Sequence, residues 1–298
     1  MTALGDDGPV VLVGAGLAGV VLALYLARRG IDVELYESRP DLRRGAVEGN
    51  RSINLALATR GKVALDEVGV LDRVDGIVIP MAGRIVHAGG TVTNQPYGTR
   101  GEVIDSVSRS DLNAILLDAA EATGRVRLHF DRHLRTLDFD RRRATFSPYR
   151  TPTDEHAVDF GTLLAVDGAT SSVRPLLMAA NGGHTSIEPL AHGYKELEIP
   201  PAPGGGFRLD PNGLHIWPRG DLMLIALANP EGDFTATLFM PHDGPQGFAA
   251  LDDPAAVSAF FAEHFDDVVP LIGDLQQQFA ANPVGDLATV RVSGWSLD

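Results

Sequence analysis

The chain has 298 residues, enough for about two domains, and a formal net charge of −14, which argues against a nucleic-acid partner because that needs clustered positive charge. It has no cysteine, which removes disulfides, thiolate metal sites and cysteine nucleophiles and fits a reducing, cytoplasmic setting. No apolar run approaches the ~18 residues of a membrane helix, and the opening MTALGDDGP is acidic and unlike a signal peptide, so no membrane association is expected.

Residues 10–13 (VVLV) read as a buried strand. A glycine-rich turn follows, then a helix in which Val20, Ala23, Leu24 and Ala27 recur at helical spacing and Gly30 supplies the stop. Ile31, Val33 and Leu35 alternate as a second strand, which completes a βαβ unit. Residues 39–52 read as a loop and Thr59–Val68 as a helix. Short strands follow at Gly83–His87, Thr91–Thr93 and Val103–Ser106. Ser110-Asp111 is read as the cap of a helix over Leu112–Ala122. Val126–Phe130 and Leu134–Phe139 are read as strands, Arg141–Arg143 as a solvated hairpin tip, and TLLAV as a strand ending at Asp167-Gly168. Beyond the flexible stretch 200–206 (PPAPGGG), Gly213–Pro218, Leu222–Ala228 and Phe234–Met240 read as antiparallel neighbours. Asp253-Pro254 opens a helix to Phe265, a second helix is expected over Val268–Ala281, and Asp266-Asp267 is taken as capping charge between the two.

Gly14-Ala15-Gly16-Leu17-Ala18-Gly19 has the G-x-G-x-x-G form between a strand and a helix. Gly14 permits the tight turn, Gly16 lets the main chain approach a diphosphate, and Gly19 lets the helix pack on the sheet. The helix N-terminus offers free N–H groups and partial positive charge. Glu37, at the end of the second strand, suits ribose hydroxyls and repels a 2′-phosphate, so this site is expected to exclude NADP. The motif predicts a dinucleotide and leaves NAD and FAD both open; an NAD-dependent dehydrogenase is the reading on this motif alone.

RSINLAL at 51–57, IPMAGRIVH at 79–87, PYG at 96–98 and SVSRSDLN at 106–113 carry a wider likeness, as do DGATSSVR at 167–174, HGYKELEIP at 192–200, LHIWPRG at 214–220 and TLFMP at 237–241. Together they resemble the FAD-dependent aromatic-ring hydroxylases, in the branch that acts on kynurenine. The resemblance implies an α/β fold: a Rossmann-like FAD-binding domain of the glutathione-reductase type (1–75 and 100–182) with an interleaved β-sheet substrate domain (76–99 and 183–298). It places Gly14, Gly16, Ala18, Gly19, Glu37, Arg39, Ala56, Arg109, Leu134, Asp167 and Gly168 along FAD. It makes Arg84 and Tyr97 the contacts of an amino-acid carboxylate, and Ile225, Leu227 and Phe239 the apolar wall around an aromatic ring. An arginine fork suits a carboxylate because two parallel hydrogen bonds fix orientation as well as charge.

The implied reaction uses NADPH and dioxygen to hydroxylate kynurenine, or a close analogue, ortho to its ring amine, in tryptophan catabolism. The cofactor carries the chemistry, so no catalytic side chain and no metal are expected. The alternation of His129, Asp131 and His133 is accordingly read as an ordinary strand. The family's later Gly-Asp motif has no counterpart here; Gly273-Asp274 and Gly285-Asp286 lack its context. The chain is therefore expected to be C-terminally truncated, with a strand edge left open and apolar surface exposed. A non-catalytic fragment, or one dependent on a complementing C-terminal fragment or a homo-oligomer, is the alternative.

Overall fold

The computed structural model describes residues 8–45 and 53–297. Residues 46–52 of the 39–52 loop, including Arg51 and Ser52 of the RSINLAL stretch, lie outside the described residues.

Four parallel strands form the first sheet, in the order Thr162–Ala165, Val10–Val13, Val33–Tyr36, Val126–His129. Strand Val10–Val13 is buried throughout because both faces are covered. Its period of two splits the strand between two cores. Val10 and Leu12 pack with the helices Leu17–Arg28 and Arg109–Ala122. Val11 and Val13 pack with Tyr36, Leu134 and Phe146, under the antiparallel sheet His133–Asp138, Arg143–Ser147, His156–Asp159.

The second large sheet has seven strands: Val284–Val292, Thr185–Ile199, Phe234–Pro241, Leu222–Ala228, Gly213–Arg219, Gly83–Ala88, Thr91–Pro96. Leu224, Ala226, Ala236 and Leu238 line its covered face, against Val257, Phe261 and Phe279 of helices Pro254–His264 and Leu275–Ala281. Lys195 is buried on that face; its Nζ donates to the carbonyls of Phe279 and Asn282, closing the C-terminal end of the second helix. A small sheet, Asn54–Leu57, Ile104–Ser108, Val78–Met81, stands between the large ones. Asn54 Nδ2 donates to Asn229 Oδ1 at 2.6 Å and Ser106 Oγ donates to the Ala228 carbonyl at 2.8 Å. These bonds tie the small sheet to the end of strand Leu222–Ala228.

Several expectations are corrected. The helix expected over Val268–Ala281 is only Leu275–Ala281, because Pro270 cannot continue the hydrogen-bond ladder and Asp274 takes a left-handed conformation (φ 48°). The first long helix of the SVSRSDLN stretch starts at Arg109, and its cap is Ser108, whose Oγ accepts from Asp111 N. Asp267 is not a cap: it accepts from Trp217 Nε1 at 3.0 Å and pairs with Arg219. Helix Val173–Asn181 and strands Thr185–Ile199 and Val284–Val292 were not anticipated.

His87 and His215 join two strands of the large sheet through a 2.9 Å bond between His87 Nε2 and His215 Nδ1. His215 Nε2 faces the Asp210 carbonyl at 2.9 Å, so it must carry the proton; Nδ1 then accepts and His87 donates. Burial pushes both imidazoles below their ordinary value. Because the folded values are lowered, the unfolded chain binds more protons in mild acid. The pair's contribution is complete above about pH 6.5 and is lost as pH falls below that through the folded values. Urea unfolding at pH 7.5 and 5.5 should show lower stability in acid, with a smaller loss in His87→Phe; an unchanged pH slope in that variant would refute the neutral pair.

Candidate functional site

The glycine loop leaves the carboxyl end of strand Val10–Val13, where open parallel sheets receive nucleotides. Gly14 N donates to the Tyr36 carbonyl at 2.8 Å, and its φ of 110° is left-handed. A Cβ there would lie 2.6 Å from Val166 O. A Cβ on Gly19 would collide with the Gly14 carbonyl oxygen, so this residue sets how closely helix and loop pack. Gly16 differs: a Cβ there meets nothing within 4 Å. Gly16 is the N-cap of helix Leu17–Arg28, which has no side-chain cap and no acid in its first turn. Its first N–H groups are thus open to an anion, and exposed Ala18 stands on the same turn.

Glu37 is buried beneath the loop. Its Oε2 accepts from Ala15 N at 2.8 Å, and its Oε1 accepts from Arg39 Nε at 2.9 Å. Burial pushes the carboxyl up, but the hydrogen bonds from Arg39 and Ala15 outweigh it and hold the group below the usual carboxylate range. Glu37 therefore stays ionised, an acceptor beside the loop. Beyond Arg39 a cavity of about 590 Å³ opens at the carboxyl ends of strands Val33–Tyr36 and Val126–His129, lined by Pro40, Asp41, Arg44 and the segment 128–132.

The remaining residues expected along the cofactor are placed unevenly. Asp167 lies directly against Gly14. Its carboxylate accepts from Ser172 N at 2.7 Å and Val173 N at 3.2 Å, so it caps helix Val173–Asn181, while Gly168 makes the left-handed turn (φ 83°). Ala56 and Arg109 are exposed, on a strand and at the start of a helix, and Arg109 N donates to the Ile53 carbonyl. The Leu134 side chain stands apart, in the core between the two sheets of the first unit, so only its main chain is available to a ligand.

The second group forms on the uncovered face of the seven-stranded sheet. Direct cross-strand partners share a face. The register pairs Arg84 with Leu214, Ile216 with Ile225, Ile225 with Thr237, Leu227 with Thr235, and Phe239 with Met223 and Tyr194. Arg84, Ile225, Leu227 and Phe239 therefore all lie on the face opposite the helices. Arg84 and Leu227 are two strands apart, roughly 10 Å. Tyr97 follows strand Thr91–Pro96, its N–H held by the Ala82 carbonyl at 3.1 Å, and the Arg84 guanidinium lies 5.5 Å from its ring centroid. The Tyr97 hydroxyl is buried without a hydrogen-bond partner among the described residues. Burial pushes this phenol up, and Arg84 acts in the opposite sense through its charge and the approach of its guanidinium to the phenol oxygen. A buried, unpartnered hydroxyl beside an exposed guanidinium suits a carboxylate, which would satisfy both.

A family model described as an FAD binding domain matches residues 7–192, well over half of the chain. The chain belongs to this FAD-binding family. The cofactor its fold holds is FAD, and the open Gly16 cradle, the uncapped helix and ionised Glu37 fit that molecule's diphosphate and ribose. The flavoprotein chain is 46% identical over 291 residues to kynurenine 3-monooxygenase of Myxococcus xanthus (strain DK1622), covering 96% of this chain and 62% of that protein. It is likewise 46% identical over 289 residues to the kynurenine 3-monooxygenase of Xanthomonas axonopodis pv. citri (strain 306), covering 96% and 63%. The chain thus spans less than two thirds of the length of these relatives. Among solved structures, the tetrameric form of 2-methyl-3-hydroxypyridine-5-carboxylic acid oxygenase superposes with a TM-score of 0.73 at 18% identity, covering 98% of this chain and 73% of that one. Tetracycline destructase Tet(51) superposes with a TM-score of 0.64 at 14% identity, covering 97% and 72%. These two show the fold, that of the aromatic hydroxylases. No helix among the described residues is long and apolar enough to cross a membrane.

Sequence reasoning missed Asn113, Asn54 and Asn229. The first two sit inside the quoted stretches SVSRSDLN and RSINLAL. A polar residue falling on the buried side of a helix was the available signal for Asn113.

Proposed function

We propose that this chain is the FAD- and substrate-binding part of a monooxygenase that hydroxylates kynurenine, or a close analogue, ortho to its ring amine with NADPH and dioxygen. The observation that carries this reading is the Arg84–Tyr97 pair on the sheet face shared with Ile225, Leu227 and Phe239. Arg84 and Tyr97 hold the carboxylate, and the apolar residues of the same face, Leu227 nearest at about 10 Å from Arg84, hold the aromatic ring. FAD, when bound, supplies the acceptance of hydride from NADPH and the activation of dioxygen. The protein orients the ring and, through Arg84, supplies positive charge for an anionic substrate on an acidic chain. The 46% identity to two kynurenine 3-monooxygenases supports the substrate class. The test is a titration of the FAD-loaded chain with kynurenine, followed by the flavin absorption spectrum, then mass spectrometry of products after NADPH and air are added. A saturable spectral change and a product 16 Da heavier are expected; a flavin spectrum indifferent to kynurenine would refute the substrate assignment.

A second reading keeps both binding steps but makes turnover depend on a complementing polypeptide. It is favoured by the length shared with the relatives and by exposed surface. Strand Thr162–Ala165 pairs only with Val10–Val13 among the described residues, and Ile187, Leu190 and Trp295 stand exposed, Trp295 at 84%. In this reading the spectral change appears without product, and co-expression with the remaining part of a full-length relative restores product.

A further inference from the structure

The two peptides that flank the Ala15 Cα are each held by a side chain remote in sequence, Gly14–Ala15 by Glu37 and Ala15–Gly16 by Asn113. Ala15 N donates to Glu37 Oε2 at 2.8 Å. The Ala15 carbonyl accepts from Asn113 Nδ2 at 3.1 Å. Asn113 lies in the second turn of helix Arg109–Ala122, is 6% exposed, and its Oδ1 is buried without a partner among the described residues. A trans peptide points the C=O of one residue and the N–H of the next in opposite directions. With the Ala15 carbonyl drawn in toward Asn113, the Gly16 N–H is turned out to the open side of the loop. It finds no backbone acceptor there among the described residues, and space is free around Gly16.

We propose that Asn113 is a positioning residue for the dinucleotide diphosphate: its amide N–H fixes the Ala15–Gly16 peptide so that the Gly16 N–H points at a phosphate oxygen. This rests on FAD binding at the glycine loop. The role requires a donor at this position. Alanine leaves the carbonyl unheld, and the peptide is free to rotate its N–H away. Aspartate keeps the size but sets an anion against the Ala15 carbonyl and near the phosphates. It regains a donor only when protonated, and burial raises the pH at which that happens.

The test uses the full chain freed of flavin, with Asn113→Ala and Asn113→Asp, titrated with FAD and with ADP and followed by flavin fluorescence and calorimetry. Asn113→Ala is expected to bind both ligands roughly tenfold more weakly, the scale of one hydrogen bond to a charged group. Asn113→Asp is expected to bind about a hundredfold more weakly at pH 8 and to recover as pH falls to 6, relative to the parent at each pH. A side chain that only filled the helix interface would lower the melting temperature without this pH-dependent recovery. Asn113→Asp preserves the packing volume if the alanine variant fails to fold. Affinity within twofold of the parent in folded Asn113→Ala, or no pH dependence in Asn113→Asp, would overturn the proposal. A parent chain that bound neither ligand would overturn the flavin reading itself, and the proposal with it.

Discussion

Gly16→Val keeps its fold and fails to take up FAD, whereas Gly19→Ala loses much of its stability. The two glycines lie three residues apart in one motif but meet different surroundings. Gly16 has extended backbone angles (φ −70°, ψ 176°) that valine adopts freely, and a Cβ there meets nothing within 4 Å. Valine caps a helix less well than glycine, so unfolding stability should fall by no more than about 1 kcal/mol. The new side chain occupies the approach of the diphosphate. Loss of two main-chain bonds to a charged group, at about 1.5–3 kcal/mol each, weakens FAD by more than roughly a hundredfold. Gly19 has no such room: its Cβ would strike the Gly14 carbonyl oxygen, and main chain cannot swing aside. Overpacking of this kind costs about 3 kcal/mol. Urea unfolding and FAD titration on the two variants check the pair; equal losses of stability would show that Gly16 is merely another packing glycine.

On the proposed function, Arg84→Ala weakens kynurenine binding roughly 30- to 150-fold, the loss of about 2–3 kcal/mol expected for a charge-assisted, two-pronged contact. FAD affinity and stability are unchanged, because the guanidinium is exposed and its contact is the Tyr97 ring. Arg84→Lys recovers part of the loss, since it restores charge without the fork. Tyr97→Phe separates function from stability more sharply. It removes a buried hydroxyl that makes no hydrogen bond of good geometry among the described residues, so the melting temperature should hold while, on the proposed function, kynurenine binding weakens several-fold. A Tyr97→Phe chain that lost stability and kept its affinity would show that the hydroxyl serves the fold.

What could be read from the sequence was what local pattern determines. The strand, glycine loop, helix and strand from Val10 to Tyr36 obey neighbour-to-neighbour rules, and they fold as those rules state. Strand Thr185–Ile199 was hidden because Pro189 and Gly193 interrupt its alternation, and its register shifts between them. Asp167 was readable as the end of a strand, but its commitment to Ser172 and Val173 depends on a helix that composition did not announce. The proposed substrate face depends on distant pairing. Arg84 meets Leu214 in a parallel contact spanning well over a hundred residues, and no periodicity at either end reveals it. Resemblance supplied those residues, and the strand order places Arg84, Ile225, Leu227 and Phe239 on one face. Asn113 depends on a single contact, with Ala15, that only the packed helix creates.

The most direct measurement is calorimetric titration of the purified, folded, flavin-free chain with FAD. Saturable uptake of one FAD per chain, abolished in Gly16→Val and retained in Arg84→Ala, is the expected result. A cooperatively folded chain that took up no FAD at micromolar concentration would contradict the assignment of the glycine loop, Glu37 and Asn113 to a flavin dinucleotide.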